Sequence, residues 1–103
     1  MKVINMRGLT SLPKNVVRVD RRSQWGNPFI MHDESMREEV IEKYRQHLWL
    51  KMKDPTLGPT LVQDLLELSG SDLACWCAPK PCHADVMIRA IAWLQENEVT
   101  RKA

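Results

Sequence analysis

All three cysteines of this chain fall within eight residues, in the string Cys75-Trp76-Cys77-Ala78-Pro79-Lys80-Pro81-Cys82-His83. Cysteines so close together cannot tie distant parts of a chain, and an odd number leaves one unpaired. A disulfide framework is therefore excluded as the source of stability, and a reducing, cytoplasmic compartment is expected. Stability has to come from a packed apolar core. The 103 residues, 44% hydrophobic and 27% charged, suffice for one such core and not for two. Residues 1–103 read as a single α/β domain, for the following reasons.

Lys2 to Met6, rich in Val and Ile, reads as a first strand. Val16, Val17 and Val19 suggest a second, ending in the charged run Asp20-Arg21-Arg22. Ser23 to Phe29 has neither period; Gly26 and Asn27-Pro28 mark a turn there. Ser35 with Glu38 predicts a capping box, opening a helix with the stripe Val40, Ile41, Tyr44, Leu48 and Met52. Asp54-Pro55 stops it. Thr60 with Gln63 predicts a second box, before a helix buried through Leu61, Val62, Leu65, Leu66 and Leu68 and closed by Gly70. Asp72 to Cys77 reads as a strand, and about Cys82 to Asn97 as a helix with the stripe Val86, Met87, Ala90, Ile91 and Leu94. Residues 97–103 are expected to fray. This order predicts a small Rossmann-like sheet of three or more strands covered by about three helices. Ligands in such folds sit beyond the carboxyl ends of strands, beside helix N-termini.

The formal net charge of +2 does not indicate a strongly basic nucleic-acid binder, although it leaves room for a local basic patch. No apolar run is long enough to span a bilayer, so no membrane partner is expected. The opening MKVINMRG lacks the apolar stretch of a signal peptide.

Three thiols and an imidazole within nine residues form a dense set of soft ligands of the kind tetrahedral zinc uses. In a strand, Cys75 and Cys77 point to one side and Trp76 to the other. Against a metal stands the spacing C-x-C-x4-C-H, which differs from the usual paired ligands. The neighbours Cys82 and His83 also leave a helix roughly 100° apart. A site without metal is the first reading, and zinc on Cys75, Cys77, Cys82 and His83 is the alternative. Cys75 reads as a small buried hydrophobe. Cys82, in the first turn of a helix, faces unpaired N–H groups and the positive dipole end, which lower a thiol pKa. The same N-terminus can hold a phosphate instead. Cys82 and His83 are the candidate catalytic pair, should the domain be an enzyme.

A second set is Arg18, Asp20, Arg21, Arg22, Trp25 and Asn27. Guanidinium forks match phosphate, and an indole can stack on a ring. The plain alternative is a solvated basic loop anchored by one aromatic. If the first and last strands are parallel neighbours, Arg7, just after Asn5, comes near the strand end carrying Cys77. Trp49 and Trp93 read as edge-of-core packing. Arg37, Glu38, Glu39, Glu42 and Lys43 read as a solvated helix face with i,i+4 pairs.

Three stretches are recognisable together: Val3-Ile4-Asn5-Met6-Arg7, Arg22-Ser23-Gln24-Trp25-Gly26-Asn27-Pro28-Phe29, and Leu73 to Asp85 with C-W-C-A-P-K-P-C-H inside it. The chain resembles the bacterial and bacteriophage family called domain of unknown function 4326 over almost its whole length. The resemblance implies that the W-G-N-P-F loop and the C-H helix start belong to one design, with Asn27 and His83 as two walls of a pocket. One departure is Ala84, where the family is associated with glycine; a methyl group there would narrow a ligand's approach. No reaction comes with the resemblance.

The expected function is binding of a phosphate-bearing small molecule or nucleotide in that pocket. Asn5, Arg7, Arg22, Trp25, Asn27 and Cys77 are the candidate binding residues. The alternatives are a zinc-binding structural module and a phage-type protein that binds a host protein or nucleic acid.

Overall fold

The computed structural model describes residues 1–78 and 80–97. The elements run β1 (Val3–Asn5), β2 (Val16–Arg18), a 3-10 turn at Glu34–Met36, α1 (Arg37–Lys53), α2 (Gly58–Glu67), β3 (Asp72–Cys75) and α3 (His83–Glu96). The strands form one parallel sheet in the order β1-β3-β2, with Asn5 opposite Cys75 and Arg18 opposite Ala74. This is the expected small α/β fold, and a Rossmann-like arrangement is compatible with it.

β3 is central because its sequence suits burial on every side. Leu73, Ala74 and Cys75 form a short continuous apolar run, and all three are buried. The three helices pack on one another, and α3 also packs against β3. The core takes Val40, Tyr44 and Leu48 from α1, Val62 and Leu65 from α2, and Met87, Ile91 and Leu94 from α3. These lie on the helical stripes expected from the sequence. Trp49 and Trp93 meet edge to face, 5.5 Å between ring centroids, and both remain exposed.

Both expected capping boxes are replaced by an aspartate further upstream. Asp33 accepts the Ser35 N–H at 2.6 Å and opens the 3-10 turn, so α1 begins at Arg37 rather than Ser35. Asp54 accepts the N–H groups of Thr56 and Leu57, so α2 starts at Gly58, with Pro59 where a missing N–H costs nothing and Thr60 already inside the helix. An ionised carboxylate satisfies free N–H groups better than a hydroxyl and also suits the positive helix end. Gly70, at φ +89°, does turn the chain after α2.

β3 is shorter than expected. The Asn5 side-chain amide donates to the carbonyls of Trp76, at 3.3 Å, and Ala78, at 2.7 Å, drawing the chain out of the ladder after Cys75. α3 begins at His83, with Cys82 as its N-cap, and Asn97 closes it by donating to the Trp93 carbonyl. The rest of the expected frayed tail, 98–103, lies outside the described residues. No helix among the described residues is long and apolar enough to cross a membrane.

Candidate functional site

The site begins at the carboxyl end of β2, with Asp20. Its carboxylate accepts a two-pronged ion pair from Arg18, at 2.7 and 2.8 Å, the Trp76 indole N–H at 3.0 Å and the Arg22 backbone N–H at 3.3 Å. Asp20 is buried, so its charge needs these partners. The Arg18 hydrogen bonds hold its pKa down at about 2, against the cost of burial. The ion pair fixes one wall, and the indole N–H fixes Trp76, a residue that remains 54% exposed.

The W-G-N-P-F loop is braced from within. Trp25 is buried, and its carbonyl accepts the Tyr44 hydroxyl at 2.9 Å. Gly26 passes so close to the preceding chain that a Cβ there would sit 2.6 Å from the Arg21 Cα. The Asn27 carbonyl oxygen accepts the Phe29 N–H at 2.9 Å, closing an Asx turn. Its amide nitrogen approaches the Val40 carbonyl at 3.4 Å.

Opposite stands the thiol–imidazole corner. The Asp85 carboxylate accepts the Cys82 N–H at 2.9 Å. The first turn of α3 therefore already holds an anion, and a phosphate could not rely on the helix amides alone. His83 is buried; its Nε2 lies 2.6 Å from the Val19 carbonyl, and its ring meets Tyr44 at 5.0 Å. The thiol sulfurs of Cys75, Cys77 and Cys82 all lie within 4.8 Å of one another, and those of Cys75 and Cys82 are 3.5 Å apart. His83, part of the expected zinc set, is not in this cluster.

Cys82 does not behave as a lone thiol at a helix start would. Its hydrogen bond with Cys75 draws the Cys75 thiol down, and the same bond together with burial pushes Cys82 up. One negative charge shared by two touching sulfurs makes the second ionisation costly, which outweighs the helix end. Burial also raises Cys77, against the pull of the Arg37 guanidinium.

Between these walls lies an open cavity of about 510 Å³, within the range of small-molecule sites. Arg22, Asn27, Cys77, Cys82 and His83 line it, as does Cys75. The tryptophan-bearing bend and the thiol–imidazole corner thus share one opening. Asn5, Arg7 and Trp25 do not line it: Asn5 holds the Cys77 turn, Arg7 is exposed elsewhere, and Trp25 anchors the loop in the core. Ala84 is fully buried and is not among the residues that line this cavity.

Arg37, Trp76 and Phe29 also line the cavity, and none was among the expected site residues. Arg37 departs from the solvated face predicted for it. It turns inward, with its side chain 15% exposed, donating to the Pro81 carbonyl at 2.8 Å and pairing with Glu34 at 2.5 Å. Lys43 and Glu39 do form the expected i,i+4 pair. Nothing local marks Arg37 as a cavity residue, because the Pro81 carbonyl to which it donates lies 44 residues away. Strand alternation would have misplaced Trp76, since it sets the indole on the face away from the thiols, whereas the chain leaves the ladder after Cys75 and Trp76 lines the cavity with them.

The chain is 32% identical over 82 residues to the "Uncharacterized 12.4 kDa protein in nrdA-td intergenic region" of Enterobacteria phage T4, covering 80% of this chain and 72% of that protein. No solved structure matches. The model of the family described as Domain of unknown function (DUF4326) matches residues 4–93, so both the bend and the thiol–imidazole corner lie within it, and the chain belongs to that family.

Proposed function

We propose that the cavity binds a small phosphate-bearing molecule, with a nucleotide as the class whose shape suits it best. The observation that carries this reading is the concentration of four arginines, Arg18, Arg21, Arg22 and Arg37, against one aspartate around one opening. Arg18 and Arg37 are committed to Asp20 and Glu34. Arg21 and Arg22 have no carboxylate partner among the described residues and are exposed. They are the two forks available to a phosphate. The Trp76 ring and the Phe29 side supply flat apolar surface for a base. Asn27 and His83 shape the floor, and any acid or base work would fall to His83. The three free thiols suit a reducing compartment such as the cytoplasm.

Thermal denaturation with a panel of nucleotides, the matching nucleosides and pyrophosphate tests the reading. A nucleotide at a hundred times its Kd should stabilise the chain by about 2.7 kcal/mol. Nucleosides should do much less, and the double variant Arg21→Ala/Arg22→Ala should lose the shift. If neither nucleotides nor pyrophosphate raise the Tm, or if the double variant responds like the wild type, the reading fails.

A further inference from the structure

The three cysteines arrive at one place from three different local structures. Cys75 ends β3, Cys77 lies in the turn that Asn5 pulls away from the sheet, and Cys82 is the N-cap of α3. Burial as small hydrophobes accounts for each singly. It does not require all three sulfurs to fall within 4.8 Å of one another, with one pair at 3.5 Å. Zinc–sulfur bonds of about 2.3 Å in a tetrahedron set the sulfurs about 3.8 Å apart, which lies between these two values. The unpromising sequence spacing is overcome by the break in β3. Once the chain leaves the ladder at Trp76, the turn brings Cys77 and Cys82 round to Cys75 without the pleat.

We propose that Cys75, Cys77 and Cys82 form a three-thiolate site for a thiophilic divalent ion, zinc being the best suited, with the fourth position opening onto the arginine-lined cavity. All three residues line that cavity, so water or an anion can complete the tetrahedron from its side. His83 does not supply the fourth ligand, because its Nε2 is turned to the Val19 carbonyl. Binding exchanges the protons still held by the three sulfurs, released to solvent, for one ion, with no change of oxidation state. The product carries one net negative charge. The Arg37 guanidinium beside Cys77 offsets it, held there by Glu34 and the Pro81 carbonyl. The inference stands apart from the nucleotide reading, since it concerns the ion alone.

The test is titration of the reduced, metal-free chain with cobalt(II), after a thiol assay confirms three free sulfhydryls. One equivalent per chain should bind, with a thiolate-to-cobalt charge-transfer band and the strong visible bands of a tetrahedral site, and zinc should displace it. Cys77→Ser, at the least buried of the three positions, should weaken cobalt binding at least 10-fold and lower the charge-transfer band per bound ion, while keeping the wild-type circular dichroism. Arg37→Ala should keep the band and weaken binding about 10- to 100-fold, as loss of an outer-shell partner does. Alkylation of the wild-type chain needs no variant: one equivalent of zinc should slow modification of all three cysteines together. Cobalt bound without the band, Cys77→Ser with wild-type affinity and band intensity, half an equivalent per chain, or alkylation indifferent to zinc would each overturn the site.

Discussion

The imidazole of His83 donates its Nε2 proton to the carbonyl of Val19 at 2.6 Å, joining the end of β2 to the first residue of α3. A carbonyl can only accept, so the neutral ring is the Nε2-protonated tautomer. Its Nδ1 has no hydrogen-bond partner among the described residues. His83 thus has a structural task and one ring nitrogen left over. His83→Phe keeps a ring against Tyr44 but leaves the Val19 carbonyl unpartnered. It should cost about 1–3 kcal/mol, read as a lower urea midpoint at unchanged slope. Nitrogen NMR of the wild type should show the proton on Nε2; a proton on Nδ1 would contradict the bond.

Asp20 makes stability depend on acid. In the folded chain the Arg18 fork favours the ionised carboxylate, so the unfolded chain binds the proton more readily. The stabilisation is present above about pH 4 and is lost as the pH falls from 3.8 towards about 2. It amounts to about 1–2 kcal/mol, since Arg18 is partly in water. Asp20→Asn should be less stable at neutral pH and flatter across that window in acid-unfolding curves. Parallel curves for variant and wild type would show that the ion pair contributes nothing.

Gly26 is needed for space rather than for an unusual φ, because the Cβ of an alanine would strike the Arg21 Cα and the Asp20 carbonyl. These are backbone atoms and cannot swing aside. Gly26→Ala should destabilise by about 1–3 kcal/mol, as overpacking does. It should also displace Arg21 and Arg22 from the cavity. Amide shift changes spread over 18–29 and 44 would confirm the contact, and changes confined to Gly26 would not.

The helices were legible because each carries a stripe whose period survives folding, as Tyr44 and Leu48 or Ile91 and Leu94 show. Their starts were misplaced where two caps compete: Ser35 and Thr60 satisfy the local pattern, but Asp33 and Asp54 lie further upstream and carry charge. At the site, Asn27, Cys82 and His83 stood out by residue type and by turn chemistry. Asn5 and Trp25 stood out for the same reasons, yet their partners are the Ala78 carbonyl and the core. The partner decides between binding and bracing, and for Asn5 it lies 73 residues away, beyond any local pattern. The sharing of charge between Cys75 and Cys82 was illegible for the same reason, since it depends on a 3.5 Å approach of the two sulfurs.

Trp76 separates stability from binding. Its N–H bonds Asp20, but without it both carboxylate oxygens keep the Arg18 fork, and one keeps the Arg22 N–H. Trp76→Phe should therefore change unfolding stability by less than about 1 kcal/mol. Trp76→Ala removes the flat surface proposed for a base, and stacking on an aromatic contributes about 1–3 kcal/mol per base. Nucleotide affinity should fall by a corresponding factor of about 5 to 150, whereas pyrophosphate, which has no ring, should bind the variant as it binds the wild type. Isothermal titration of both ligands against both variants reads the difference directly. Equal losses for nucleotide and pyrophosphate would mean that the indole holds Asp20 and the arginines in place rather than meeting the ligand.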